Sequence, residues 1–149
     1  MMMKIFKYGS YEDYQVPGWL YEWLNKQYDF KLNVSAIYHW DADSVFCNVP
    51  HVRNIGDWVR KAYITSQEGK IVVLLLPVRT DTAWFHEYVS MAHKIYFLRG
   101  RVNVNDERGV TIGKWGFPHM IVIFDGNKEE NQEIRYLDTK NIREKYDEA

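Results

Sequence analysis

Two hydrophobic periods run along this chain. Val16, Trp19, Leu20, Trp23 and Leu24 recur at helical spacing within Glu12 to Tyr28, and Pro17 suits a first helical turn. Ile55, Trp58, Val59, Ala62 and Tyr63 share a second helical face, with Asn54 as a capping residue and Gly69 as a stop. A third helix is expected after Thr80 or Asp81 acting as cap, with Trp84, Phe85, Tyr88 and Val89 turned inward. Strands are expected at Phe30 to Ala36, Val45 to Pro50, Lys70 to Pro77, Lys94 to Val102 and His119 to Phe124. Lys70 to Pro77 is apolar without alternation, as a central strand covered on both faces requires. It is therefore expected to lie beside, and parallel to, the strand that ends at Asn48, with the helix between them as the crossover.

Helices alternating with covered strands predict a layered α/β sheet, whose ligands bind at the carboxyl ends of the strands. Those ends are the segments after Ala36, Pro50 and Pro77. The polar excursion from Asn103 to Gly116 reads as too long for a tight hairpin. Beyond Asp125 the chain is strongly charged, suited to a solvated extension or a short helix around Thr139 to Tyr146. The organisation expected is one α/β domain over residues 1–125 and a charged C-terminal extension over 126–149.

Composition narrows the chemistry. At 149 residues and 46% hydrophobic, the chain can bury a full core. A formal net charge of −1 gives no overall basic field, so any nucleic-acid contact must come from a local patch. The single cysteine, Cys47, lies in an apolar run and reads as a small buried hydrophobe. The longest apolar run, Ile71 to Pro77, is too short to span a bilayer, and Met1 to Lys7 lacks the apolar core of a signal peptide. No membrane association and a cytoplasmic location are expected. His51 has no metal-ligand spacing to His39, His86 or His93, so no metal is expected.

Asn48-Val49-Pro50-His51, at a strand end, resembles the Asn/Asp-Pro-Pro-Tyr tetrapeptide of amino-group methyltransferases. Other segments follow in order: Glu12 to Pro17, Asn33-Val34-Ser35-Ala36, Ile55 to Ala62, Leu74 to Glu87, Arg99-Gly100-Arg101 and Phe117 to Phe124. Together they resemble the small phage-type, Dam-like DNA N6-adenine methyltransferases of phages and prophages, over roughly Glu12 to Phe124. The resemblance implies a shortened, Rossmann-like class I methyltransferase sheet with flanking helices, in a protein acting in the host cell. It implies S-adenosylmethionine as cofactor, contacted by Pro17, Asn33, Ser35 and Ala36. DNA is the implied partner, with Asn48, Pro50 and His51 as catalytic residues. Arg53, Arg79, Arg99, Arg101 and Lys114, together with Lys94, are candidates for phosphate contacts. Arg99 and Arg101 are expected on one strand face.

Departures from the family pattern gather at the pockets. Val16 stands for Thr, Asn33 for Asp, Val49 for Pro and His51 for Tyr, and three residues separate Ala36 from Trp40 where the family carries a longer excursion. Val49 is expected to loosen the turn, although Pro50 still holds it extended. Asp41 and Asp43 can be read as ribose partners or as solvated acids. Asn48 can be read as an acceptor for an exocyclic amine or as a turn former before X-Pro. Two functions follow: an S-adenosylmethionine-dependent DNA adenine-N6 methyltransferase, or a degenerate relative that binds a host protein or nucleic acid as inhibitor or regulator.

Overall fold

The computed structural model describes residues 16–34, 37, 40–50, 54–106, 108–128 and 131–146. Pro17 is the N-cap of helix α1 (Gly18–Tyr28), its carbonyl accepting from the Leu20 and Tyr21 amides at 3.1 Å. Asp29, in the left-handed region, ends the helix and turns the chain into strand β1 (Leu32–Val34). Next come β2 (Ser44–Asn48), α2 (Ile55–Ser66) and β3 (Ile71–Pro77). Asn54 occupies the N-cap of α2 without a side-chain capping bond.

The third helix, α3 (Ala83–Glu87), starts later than expected, and a 3-10 turn follows it at Val89–Met91. Thr82, rather than Thr80 or Asp81, is the cap, accepting from the Phe85 amide at 3.2 Å. Strand β4 (Lys94–Arg99) ends at Gly100, whose φ is +94°. The excursion after it is, as expected, too long for a tight hairpin between β4 and the next strand of the sheet, and it carries a small ladder of its own: β5 (Asn103–Asn105) against β6 (Thr111–Lys114). Strand β7 (His119–Asp125) returns to the main sheet. The charged C-terminal stretch then adds a sixth strand, β8 (Glu133–Asp138), and helix α4 (Thr139–Tyr146).

The six-stranded sheet has the order β1-β2-β3-β7-β4-β8. Neighbours pair in parallel except at β7, which runs antiparallel to both β3 and β4. The expected parallel pairing of β2 with β3 is observed, with Asn48 level with Leu75. Alternation along the central strands divides the core in two. Val45, Cys47, Val72, Leu74, Leu76, Met120, Val122 and Phe124 face α2 and the α3 region. Phe46, Val73, Leu75, Ile121 and Ile123 face α1 and α4. Trp40, 3% exposed, carries the β1–β2 crossover into the α2 side, its ring centroid 6.1 Å from that of Trp58. Ile142 of α4 is buried against the other face, so this part of the charged C-terminal stretch packs into the core.

Candidate active site and nucleic-acid interface

The parallel strands end on one edge of the sheet, and Asn48, Pro50, Arg79 and Arg99 lie at or just beyond those strand ends. Asn48 closes β2, and alternation puts its side chain on the face of Phe46, the α1 side. The Val49 amide donates to the Leu75 carbonyl at 3.3 Å, and its side chain is 1% exposed. Proline would lack that N–H, whereas valine extends the ladder one step and packs in the core. Pro50 is buried beyond it. His51 and Arg53 lie outside the described residues.

Helix α1 runs back along this face, antiparallel to the strands. The Ser44 hydroxyl, at the start of β2, donates to the Tyr28 carbonyl at 2.9 Å, and the Tyr21 hydroxyl donates to the Asn33 side-chain oxygen at 2.9 Å. The buried N-cap Pro17 therefore lies towards the edge that carries Asn48. Asn33 is exposed on β1, level with Phe46, and shares the α1 face. Ser35 and Ala36 lie outside the described residues.

Asp41 and Asp43 are at the wrong end for a ribose. The Asp43 carbonyl accepts from the Ile71 amide at 2.9 Å where β3 begins, and Asp41 is 3.3 Å from the Lys70 ammonium. Both acids belong to the amino edge of the sheet. Lys94 does too, 3.9 Å from Glu133 at the start of β4, and so separates from the other expected phosphate contacts. Cys47 is fully buried, and that burial pushes its thiol far above the usual range, which keeps it protonated.

At the end of β3 the Val78 amide donates to the Pro118 carbonyl at 3.1 Å, tying the next loop to the start of β7. Arg79 is thereby held with its guanidinium 5.8 Å from the Phe117 ring centroid. Phe117 stacks on the buried His119 ring at 5.3 Å, and Trp115 packs against both at 5.7 and 6.1 Å. His119 pairs with Pro77. This aromatic group lies two strands from Asn48 on the same face, and the site assignment from sequence missed it. The signal was the spacing Trp115-x-Phe117-x-His119, a run of alternate aromatics entering a strand.

Arg99 and Arg101 do not share a strand face, because the positive φ of Gly100 breaks the alternation between them. They converge nonetheless, with Lys114, on one cavity of about 510 Å³ at the ends of β4 and β8. Lys140 and Arg143 of α4 line the same cavity. The short helix expected around Thr139 to Tyr146 forms over those residues, but its basic residues, three apart, were not among the expected phosphate contacts.

Among the described residues no helix is long and apolar enough to cross a membrane, and no group of three or more His, Cys, Asp or Glu could hold a metal. The family model for DNA N-6-adenine-methyltransferase (Dam) matches residues 36–148. That span leaves out the N-terminal segments that resemble the family and takes in β8 and α4. No curated protein matches the chain.

Proposed function

Because this chain belongs to the DNA N-6-adenine-methyltransferase (Dam) family, we propose that it transfers a methyl group from S-adenosylmethionine to N6 of adenine in DNA. The observation that carries the reading is Asn48 at the carboxyl end of β2, beside a turn fixed by the Val49–Leu75 bond. The Asn48 side-chain oxygen accepts from the exocyclic amine, and a backbone carbonyl of the pinned turn accepts from the same NH2. Two acceptors orient the nitrogen for in-line attack, and such positioning supplies much of the rate in a methyl transfer. The adenine leaves the helical stack to reach this position, with His51 as its stacking partner. Arg53, Arg79, Arg99, Arg101 and Lys114 are the proposed phosphate contacts.

The proposed contacts to the cofactor are neutral groups. Pro17 and Asn33 lie on the face of Asn48, and Ser35 and Ala36 follow Asn33 in sequence; these residues would hold it. Bound there, S-adenosylmethionine supplies the electrophilic methyl group. The proposed biological role is protection of phage DNA from restriction inside the host cell.

A second reading is a methyltransferase-like protein that no longer methylates and acts by binding a host protein or nucleic acid. It is favoured by the placement of Asp41 and Asp43 at the opposite edge and by the neutral Asn33, held by Tyr21. Replacing a charge-assisted bond with a neutral one loses roughly 1 kcal/mol of binding.

Incubation of adenine-containing duplex DNA with methyl-labelled S-adenosylmethionine tests the proposal. Wild type should transfer label to N6. Asn48→Ala should be slower by a hundredfold or more, the ~2–4 kcal/mol typical of losing one group aimed at a reacting centre. Undiminished transfer by Asn48→Ala would remove the catalytic assignment, and no transfer by wild type would favour the binder.

A further inference from the structure

We infer that the C-terminal strand–helix unit builds a phosphate-binding site for a nucleic-acid backbone, in which Lys140 and Arg143 of α4 act together with Arg101 and Lys114. Duplex DNA as the source of the phosphate rests on the function proposed above; the phosphate chemistry rests on the cavity itself.

Three separate segments bring cations to one place. The Thr139 hydroxyl donates to the Arg99 carbonyl at 2.8 Å, which fastens the start of α4 to the end of β4. Gly100, at φ +94°, then turns the chain so that Arg101 lines the cavity from the far side of the bend. Lys114 arrives on the hairpin, whose last strand pairs with Asn103 and whose next residue, Trp115, donates to the Val102 carbonyl at 3.0 Å. Five cations, Arg99, Arg101, Lys114, Lys140 and Arg143, line a space of about 510 Å³ against two carboxylates, Asp138 and Glu144. Asp138 is already engaged, since it accepts from the Lys140 amide at 3.0 Å and sits 4.0 Å from the Arg99 guanidinium.

This concentration of positive charge stands out in a chain of net charge −1. Arg101, Lys114 and Lys140 are exposed, so the cavity has the form of a solvent-facing anion site. Its size exceeds that of a lone phosphate and suits a phosphate still attached to its sugars. Three strand spacings separate β2 from β4, about 14 Å at roughly 4.8 Å each. The cavity is thus set apart from the base position at Asn48 and fits a backbone flanking the target nucleotide.

The test is the charge-reversed double variant Lys114→Glu/Lys140→Glu. Both side chains are exposed, and a carboxylate in the first turn of α4 suits the helix dipole, so the variant should fold; circular dichroism and a thermal melt check this. Fluorescence anisotropy with end-labelled duplex DNA over a salt series reads the effect. Each phosphate contact contributes about 0.9 to the slope of log affinity against log salt, so the variant should flatten that slope by about 2 and bind at least tenfold more weakly near 0.1 M salt. Unchanged slope and affinity would overturn the site while leaving the proposed function standing. If wild type binds no duplex, calorimetry with inorganic pyrophosphate follows. Binding that the double variant loses would uphold a phosphate site and reject DNA as its source, and absence of pyrophosphate binding would overturn the site.

Discussion

Replacing Gly100 by alanine probes the joint on which the basic cavity depends. The residue adopts φ +94°, and a β-carbon there would lie 2.5 Å from the Thr139 hydroxyl oxygen and 3.8 Å from the Thr139 β-carbon. An L-residue held at such an angle costs about 1–3 kcal/mol. The hydroxyl must also move, which gives up its bond to the Arg99 carbonyl, worth about 0.5–1.5 kcal/mol. Together these amount to about 2–4 kcal/mol. At about 2–4 °C per kcal/mol for a chain of this size, the melting temperature should fall by roughly 5–15 °C. Urea denaturation followed by tryptophan fluorescence measures the change directly. Thr139→Ala separates the parts, because it removes the hydroxyl that the new β-carbon would strike. The double variant should be more stable than the sum of the single effects by about 1 kcal/mol, as expected for neighbours that share one contact. A Gly100→Ala protein within about 0.5 kcal/mol of wild type, or strictly additive effects, would refute this account of the bend.

Two further outcomes follow from the same structure. Trp40→Ala should destabilise by about 3–5 kcal/mol in urea denaturation, because the ring is 3% exposed and fills the β1–β2 crossover against Trp58; a loss under about 1 kcal/mol would mean that the crossover is not part of the core. In the hairpin loop, Asp106 accepts from the Arg108 and Val110 amides at 2.9 and 3.0 Å, and its hydrogen bonds with Arg108 hold its carboxyl below the usual carboxylate range. A depressed folded-state value means that this stabilisation is full above the ordinary carboxylate pKa and disappears as pH falls through the folded one. The protection factors of the Arg108 and Val110 amides, measured against their intrinsic exchange rates, should therefore fall only below the ordinary carboxylate range, and loss of protection near neutrality would contradict it.

Much of this arrangement is legible in the residues. The unalternating run Ile71–Pro77 marks a strand covered on both faces, and the end of β2 at Asn48 is marked by Pro50 two residues on. Other elements were hidden for local reasons. Strand β8 lies at the sheet edge with Ile134 and Tyr136 exposed, so its pattern of charges interleaved with apolar residues resembles that of a solvated tail. Thr80, Asp81 and Thr82 are all competent caps by residue type, and Thr82 is the one whose side chain accepts from the Phe85 amide. The cavity was illegible because its cations come from segments far apart in sequence, joined by a glycine bend that alternation cannot foresee.

The position of β7 between β3 and β4 sets the order in which the chain can be built. As residues leave the ribosome, β1, β2 and β3 can assemble in sequence, but β3 then presents an unpaired apolar edge. Its partner, residues 119–125, is made only after β4, and β4 itself pairs with β7 and β8 alone. At about 5–20 residues per second, the wait between the end of β3 and the end of β7 is roughly 2–10 s. Throughout it the nascent chain offers an open template of Ile71, Val72, Val73 and Leu74 to any other extended strand. Chains interrupted before residue 119 should therefore associate with one another or with chaperones, whereas those that reach Asp125 close the gap.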